Sequence, residues 1–341
     1  MPDMKPVVGV WREVVERLTP VPLADRKRFL DFPPTREAHA DAHSQVGAFY
    51  QIELRQPASV PPSKPTVRPT VRIAAWNLER CLYPEEAAQT LQRNHVDIAL
   101  LTEMDIGVLR TGQRHTIGRV ATQRGHGYCY ALEFLELLPM PPPAGFPANG
   151  SHNAEGFHGN GIVSARPIEA PVVIRMDEMA DWYVASDSGQ RRIGNRMAVA
   201  ATFSTGDIRF VACSVHLENR TDGAGRATQM LTLLDALDGY AGSLPVVIGG
   251  DLNTHVGPGG HDDPSEPLFA MAAARGYDWA ACNLAQPTTR TSTWSQSEGT
   301  RQLDWFCTRH CTVRDPTVVP ALADDASVLS DHELILLTLE L

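Results

Sequence analysis

The chain has 341 residues, of which 43% are apolar and 21% charged, a balance typical of a globular protein with a sizeable core. Its 30 Lys and Arg residues against 40 Asp and Glu give a net charge of -10, which argues against indiscriminate coating of nucleic acid but leaves a local basic groove open. Charged residues interrupt the apolar runs near the N-terminus, and no run is long enough to span a membrane, so we expect a cytoplasmic protein without a signal peptide.

Residues 1–70 differ in pattern from the rest of the chain. Apolar residues at helical spacing predict an amphipathic helix here: Val7, Val10, Trp11, Val14 and Leu18. The segment ends in a Pro-rich stretch, QPASVPPSKPTVRPT, which is typical of an extended linker. His39 and His43 are four residues apart and could share a metal ion, although a solvated helix face is the simpler interpretation. We therefore predict an N-terminal extension, residues 1–70, and a main domain, residues 71–341.

The main domain is dominated by predicted strands. In chain order they are VRIAAWNLER, VDIALLTEMD, GNGIVSARPI, MAVAATF, IRFVACSVHLEN, LPVVIGGDLNTH, LDWFCTR and LILLTLEL. Helices are predicted at PEEAAQTLQRN, which opens with Pro and acidic residues, and at RATQMLTLLDALDGYAG, which ends in Gly. Because several strands follow one another directly, the pattern favours an α/β sandwich of mixed sheets over a purely parallel doubly wound fold.

Cysteines, basic residues and aromatic residues add weaker predictions. The six cysteines stand mostly singly among apolar neighbours, which indicates reduced core thiols rather than a disulfide framework. Two basic clusters could face a phosphate-rich substrate or be solvated surfaces: Arg110, Arg114, Arg119 and Arg124 with His115 and His126, and Arg191, Arg192 and Arg196. Trp182, Tyr183 and Trp294 could stack on a ring, although core packing is commoner. The Pro/Gly-rich loop 138–160 is expected to be functional or disordered, and HVGPGGHDDP is expected to be a flexible surface loop that could contact the substrate.

Polar residues recur where the predicted strands end. They are Asn77, Glu103, Asn160, His216, Asp251 with Asn253, Asp304, and Asp331 with His332. Any one of them could be a turn former or a satisfied buried polar group. Their repetition at seven strand ends indicates a site, because a sheet holds the loops at its edge rigidly while their side chains converge.

This ordered set resembles the endonuclease/exonuclease/phosphatase superfamily, which includes deoxyribonucleases, sphingomyelinases, inositol polyphosphate 5-phosphatases and deadenylases. The matching stretches are WNLE, LLTEMD, GNGIVSARPI, SVHLEN, GGDLNT, LDWF and SDH, spread over residues 71–341. The resemblance implies a deoxyribonuclease I-like four-layer α/β sandwich with two facing mixed β-sheets and an active site at one edge. It also implies a divalent-metal-dependent phosphoesterase.

The resemblance assigns the metal and substrate contacts as follows. Glu103 would be the principal ligand of Mg²⁺ or Mn²⁺, with Asn77 and Asp331 completing the shell, and oxygen ligands suit these ions. Asn160 would face the substrate. The basic stretch, and not the resemblance, adds Arg114 and Arg119 as contacts to a nucleic-acid substrate.

The catalytic roles follow the chemistry of phosphate ester hydrolysis, which needs a positioned water and donors for the developing charge. By resemblance, Asp251 would orient or deprotonate the water, while Asn253 would position the phosphate. His332 would donate a hydrogen bond or proton to the phosphate, with Asp304 holding its ring, and His216 would flank the phosphate from the other side.

The substrate and the oligomeric state remain open at the level of sequence. A phosphodiester is favoured, and it could be a nucleic acid. A phosphomonoester of a small metabolite or a lipid headgroup is the alternative within the enzyme class. A module that only binds a phosphorylated partner is the alternative outside it, although Glu103, Asp251, Asn253 and His332 are all retained.

Overall fold

Two β-sheets stacked face to face form the centre of the molecule. The computed structural model describes residues 7–58, 69–147, 149–184, 190–296 and 299–341. The first sheet has the spatial order β1 (Gly9–Trp11), β8 (Glu169–Arg175), β10 (Met197–Thr205), β11 (Ile208–His216), β12 (Val246–Asp251) and β13 (Asp304–Arg309). The second has the order β14 (Thr312–Val319), β15 (Leu334–Glu340), β4 (Thr70–Arg80), β5 (Ile98–Ile106), β7 (Phe157–Ser164), β6 (Gly127–Glu136), β3 (Gln51–Arg55) and β2 (Glu13–Val15), with β9 (Arg192–Gly194) paired to β6.

Both sheets are mixed. In the first sheet, β11 and β12 run parallel, and β12 and β13 run antiparallel. In the second, β4 and β5 run parallel, whereas β5 pairs antiparallel with β7. The predicted class, a four-layer α/β sandwich with two facing mixed sheets, is therefore confirmed at the level of the sheets.

Helices cover the outer face of each sheet. They are α1 (Leu23–Leu30), α2 (Arg36–Gln45), α3 (Pro84–Arg93), α4 (Thr116–Arg124), α5 (Gly223–Ala241) and α6 (Leu268–Ala274), with 3-10 turns at Gly47–Tyr50, Leu109–Thr111 and Ala280–Cys282. One core, which includes Leu91, Val120 and Trp76, joins α3 and α4 to the second sheet. Another joins α5 and α6 to the first sheet. A third lies between the sheets, which gives the four layers.

The alternation of side chains explains why these strands are apolar throughout. On β4, Ile73 packs between the sheets while Ala74 faces the helices. On β12, Val247 packs between the sheets while Val246 and Ile248 face α5 and α6. Successive residues of a strand point to opposite faces, so a strand covered on both sides must be apolar at every position. Polar residues are then confined to the strand ends, unless a buried partner satisfies them.

The predicted amphipathic helix near the N-terminus is wrong. Residues 9–11 form β1, which pairs with β8, and residues 13–15 form β2, which pairs with β3. The valines of this segment favour extended backbone, and pairing with existing strands supplies hydrogen bonds that the helical spacing alone does not reveal. The segment therefore adds strands to both sheets. The Pro-rich linker lies largely in residues 59–68, outside the described residues.

The six cysteines are free thiols, five buried and Cys311 partly so, which confirms the expected core thiols. None of the described helices is long and apolar enough to cross a membrane.

Candidate active site

Three neighbouring strands of the first sheet have one end each, side by side, at the same edge of the sandwich. Asp251 is the last residue of β12 and pairs in register with His216, the last residue of β11. On its other side Asp251 pairs with Asp304, the first residue of β13. Because Val246–Asp251 is buried along its whole length, the carboxylate of Asp251 is held rigidly by the sheet. Three residues that are 35 and 53 positions apart in the chain thus meet in one row.

The second sheet brings Asn77 and Glu103 to the same edge. The pairing of β4 with β5 is interrupted between Asn77 and Arg80, and that of β5 with β7 between Leu101 and Met104. Glu103 lies in this interruption with φ 56°, a left-handed conformation that a non-glycine residue adopts at some energetic cost. The bulge turns the carboxylate of Glu103 out of the sheet and toward the edge.

Asn77 connects the two sheets through its side chain. Its Nδ2 donates to Asp251 Oδ2 at 3.0 Å and to Glu103 Oε1 at 3.3 Å. Its Oδ1 accepts from the backbone N–H of Glu79 at 3.0 Å. The three predicted site residues Asn77, Glu103 and Asp251 are therefore in direct contact, although they come from different sheets.

His332 is held by a buried carboxylate. Its Nδ1 lies 2.7 Å from Asp304 Oδ2, which also accepts from the Thr288 hydroxyl at 2.7 Å. Burial opposes a charged ring, but Asp304 and then Asp251 outweigh it, so the pKa of His332 is raised well above 6.5. Its Nε2 lies 3.7 Å from Asp251 Oδ2. At neutral pH the ring is a cation poised as a donor.

His216 occupies the opposite side of Asp251. Its Nε2 lies 3.5 Å from Asp251 Oδ2, and its Nδ1 lies 3.2 Å from Glu133 Oε2. Burial and Arg196 lower the pKa of His216, but Glu133 and Asp251 more than compensate, so this pKa is raised. Burial opposes the charge of Glu133, yet His216 and Arg196 bring its pKa down to about 2. The charged carboxylate of Glu133 thus orients the His216 ring through Nδ1, while Nε2 faces Asp251.

Glu133 and Arg196 were not assigned a role from the sequence. Arg196 Nη1 lies 2.9 Å from His216 Nδ1 and 3.3 Å from Glu133 Oε1, and Arg196 Nε lies 3.3 Å from Glu218 Oε2. Arg196 was placed in a basic cluster that could be solvated, but it is buried. A usable signal was present for Glu133, since it interrupts a strand, Gly127–Glu136, that is buried at every position.

The side chains converge on a cleft of about 310 Å³. Its lining residues are Glu103, His216, Asn219, Asp251, Asn253, His255, Thr289, Ser295, Arg301, Leu303, Asp331 and His332. Asn253 adopts φ 50°, its N–H donates to Asp251 Oδ1 at 2.9 Å, and its Nδ2 donates to Leu217 O at 3.0 Å. The predicted catalytic set therefore lines or directly supports one cleft.

The donor set fits a hard divalent cation at Glu103 and Asp331. Arg80, His158 and the two cleft histidines overcome burial and keep the pKa of Glu103 far below its usual range. Asp331 Oδ1 is buried without a hydrogen-bond partner among the described residues. Asn77 donates from Nδ2 to Glu103 and Asp251 while its oxygen bonds to Glu79, so direct ligation by Asn77 requires rotation of the amide. Charged carboxylate oxygens are the ligands that Mg²⁺ and Mn²⁺ prefer.

A second group of metal-ligand type is formed by Asp251, Asp304 and His332, whose ligand atoms lie within 4.8 Å of one another. His332 already bonds Asp304 there, so this group is better explained as a hydrogen-bonded catalytic unit. Direct binding of Mg²⁺ to an imidazole is also less favourable than binding to carboxylates.

Three predicted substrate contacts lie elsewhere. Asn160 is fully buried, accepts from the backbone N–H of Glu103 at 3.3 Å and donates to Met197 O at 3.4 Å, so it positions the Glu103 backbone. Arg119 pairs with Glu85 of α3 at 2.8 Å, and Arg114 donates to Leu82 O and Thr111 O. Neither arginine lines the cleft: Arg119 on α4 and Arg114, just before α4, both face Glu85 of α3.

The weaker candidates are mostly structural. His39 bonds the backbone N–H of Gly194, and His43 bonds the Tyr50 hydroxyl, so the two imidazoles have separate partners. The buried Trp182 donates to Glu218 Oε2 at 2.7 Å. Tyr183 stacks on His39, with ring centroids 4.6 Å apart.

Comparison with known proteins bears on the family and the fold. The model of the endonuclease/exonuclease/phosphatase family matches residues 74–332. A search among curated proteins found no match. A solved endonuclease/exonuclease/phosphatase from Beutenbergia cavernae is 18% identical, with 80% of this chain and 72% of that chain covered and a TM-score of 0.56.

Two further solved structures have the same architecture. The endonuclease/exonuclease/phosphatase from Bacteroides vulgatus is 15% identical over 80% of this chain and 99% of that chain, with a TM-score of 0.54. The human nocturnin catalytic domain is 16% identical over 80% of this chain and 96% of that chain, with a TM-score of 0.52. Identities this low show the fold alone. Because the family model spans residues 74–332, this chain belongs to the endonuclease/exonuclease/phosphatase family.

Proposed function

We propose that this protein is a phosphoesterase that depends on Mg²⁺ or Mn²⁺ and hydrolyses a phosphodiester by attack of water on phosphorus. Members of this family generally act on phosphate esters. The proposal rests on one observation, the carboxylate of Asp251 lying between two imidazoles at the base of the cleft. Its Oδ2 is 3.5 Å from His216 Nε2 and 3.7 Å from His332 Nε2.

Each residue at the base of the cleft then has a separate task. Asp251 accepts the proton of the attacking water, and burial raises the pKa of Asp251 above its usual value, which makes it a stronger base. His332 donates from Nε2 to a phosphate oxygen, since its Nδ1 is engaged by Asp304. Asn253 lines the cleft beside them and positions the phosphate.

The metal would be held by Glu103 and Asp331, with Asn77 next to them. When bound, it supplies positive charge that neutralises the non-bridging phosphate oxygens and the charge that develops on the leaving group. His216, oriented by Glu133, contributes a second donor on the other side of Asp251.

A short substrate is favoured over a long nucleic acid. The cleft is about 310 Å³, which is at the lower end of the range for small-molecule sites. Arg114 and Arg119, which would have held a polymer, face α3 instead. A monoester of a small phosphorylated metabolite or a lipid headgroup is therefore the second candidate.

The decisive experiment compares bis(p-nitrophenyl) phosphate with p-nitrophenyl phosphate as substrates. The wild type, Asp251→Asn and the control Asp31→Asn are assayed with Mg²⁺, Mn²⁺ or chelator. Asp31 is exposed and lies outside the catalytic cleft, so its substitution should leave the rate unchanged. We expect metal-dependent cleavage of the diester that falls by about 10²–10³-fold or more in Asp251→Asn.

The outcomes separate the candidates. Faster cleavage of the monoester would replace the diesterase with the second candidate. Cleavage that persists in chelator or in Asp251→Asn would contradict the mechanism. If neither compound reacts while the protein still binds Mn²⁺ and inorganic phosphate, the phosphate-binding module is favoured.

A further inference from the structure

The chain segments that continue β12 and β13 remain paired beyond the catalytic aspartates. The N–H of Leu252 donates to Leu303 O at 2.8 Å, and the Thr254 hydroxyl donates to Gln302 O at 3.1 Å. Further along, the N–H of Gly259 donates to Gln302 Oε1 at 2.8 Å. These hydrogen bonds hold the two segments together beyond the ends of β12 and β13. The next residue on each segment therefore has a defined position at the mouth of the cleft.

Those next residues are His255 and Arg301. Both side chains are exposed, and both line the same cleft as Asp251 and His332. The two groups influence each other, because the charge of Arg301 is one of the causes that lower the pKa of His255, after burial and Arg226. His255 is therefore a neutral donor or acceptor beside a permanent cation.

Among the described residues, Arg301 differs from Arg196, Arg226 and Arg290 in forming no ion pair with a carboxylate. Arg196 is paired with Glu133 and Glu218, Arg226 with Glu266, and Arg290 with Glu333. In the part of the chain that the structure describes, no carboxylate forms an ion pair with the guanidinium of Arg301. No hydrogen bond to another described residue engages its five N–H donors, and a guanidinium binds phosphate through paired hydrogen bonds.

The position of Arg301 sets it apart from the groups that would hold the scissile phosphate. Asp251, His216 and His332 are buried at the base of the cleft, whereas Arg301 is exposed at its mouth, and Leu303 lines the wall on the same segment. One phosphate at the base would leave the Arg301 charge without a partner. A second anionic group on the same ligand would reach it.

We propose that Arg301, assisted by His255, forms a second phosphate subsite, so that the substrate class is a phosphate ester carrying another phosphate group next to the scissile one. A phosphorylated dinucleotide or a bisphosphorylated metabolite has this chemistry. The inference rests on the proposed function for the identity of the group at the base of the cleft. The subsite itself requires only that the cleft binds phosphate.

The test is equilibrium binding of two nucleotides that differ by one phosphate. Thymidine 3′,5′-bisphosphate and thymidine 5′-monophosphate are titrated by calorimetry into the full chain with Ca²⁺ present. The wild type, Arg301→Ala and His255→Ala are compared with Arg12→Ala, a control that removes an exposed arginine outside the cleft. We expect the wild type and the control to prefer the bisphosphate by roughly tenfold or more, since charge-assisted hydrogen bonds contribute at that level.

In Arg301→Ala the preference should fall to within about twofold, with the affinity for the monophosphate retained, and His255→Ala should show a smaller loss. An unchanged preference in Arg301→Ala would overturn the subsite, as would a wild type that binds the two nucleotides equally. The result is independent of turnover. A selective wild type that hydrolyses no phosphodiester would retain the subsite while the proposed catalytic function fails.

Discussion

His332 Nδ1 lies 2.7 Å from Asp304 Oδ2, and both side chains are buried. This contact fixes the ring so that Nε2 points toward Asp251 Oδ2, 3.7 Å away. It also supplies the negative charge that keeps the ring protonated. The orientation of the imidazole and its charge are therefore both set by one carboxylate that does not itself line the cleft.

Replacing Asp304 by Asn should disable the enzyme while leaving the fold intact. The variant keeps the shape of the side chain but removes the charge, and we expect a loss of about 10²–10³-fold in kcat/KM with bis(p-nitrophenyl) phosphate. Thr288→Val is the matched control, since the Thr288 hydroxyl donates to the same oxygen, and it should cost much less. Activity of Asp304→Asn within about twofold of the wild type would contradict the role of the pair.

The pH dependence should be bell-shaped, with a basic limit set by His332. The pKa of His332 is raised, because its carboxylate neighbours outweigh burial, so activity should persist through neutral pH and fall as pH rises through that pKa. The contribution of His332 to the free energy of unfolding follows the same direction. It is fully present below the pKa of the unfolded state, about 6.5, and is lost as the pH rises through the pKa of the folded state. On the acid side, burial raises the pKa of Asp251. As the pH falls, Asp251 is therefore protonated, and stops acting as a base, at a higher pH than an ordinary aspartate.

A profile of kcat/KM against pH checks both limits. In Asp304→Asn the fall of kcat/KM at high pH should occur at a lower pH than in the wild type. The reason is that the carboxylate of Asp304, which raises the pKa of His332 most, is gone. A basic limb at the same pH in both proteins would show that a different group titrates there.

Metal binding should depend on Glu103 and Asp331 without any need for turnover. Glu103→Gln and Asp331→Asn each remove one charged oxygen ligand, and we expect Mn²⁺ affinity to fall by about tenfold or more, as measured by electron paramagnetic resonance. Asn253→Ala serves as the control: it should reduce activity and leave Mn²⁺ affinity close to that of the wild type. Equal Mn²⁺ affinity in all four proteins would place the ion elsewhere.

The N-terminal segment should be required for stability, contrary to its prediction as an appended arm. Phe49 is fully buried in the core beneath the second sheet, whereas Val10 on β1 is 38% exposed. Phe49→Ala should therefore cost about 3–5 kcal/mol in the free energy of unfolding. The control Val10→Ala should cost about 0.5 kcal/mol or less, and urea denaturation measures both. A Phe49→Ala variant as stable as the wild type would support the prediction that the N-terminal segment is a separate arm.

The strands of the main domain were predictable because their burial leaves a local signature. A strand covered on both faces is apolar at every position, so VVIGGD and IALLTEMDI are visible without knowledge of their neighbours. The polar residues that end them follow from the same logic. The short strands of residues 9–11 and 13–15 left no such signature, since they lie at sheet edges and are held by partners such as Arg175 and Gln51.

The sequence by itself determined the family, the sandwich and the identity of half of the residues that line the cleft, because each of these depends on short stretches of strand and turn. Only the tertiary structure decided which polar side chain meets which. Glu133 reaches His216 across 83 residues of chain, and Asn77 reaches Asp251 across 174. The packing of α4 and the residues just before it against α3, which directs Arg114 and Arg119 away from the cleft, is likewise a tertiary result. Such contacts arise from sheet register, bulges and the stacking of layers, and these depend on energies shared between distant segments rather than on local sequence.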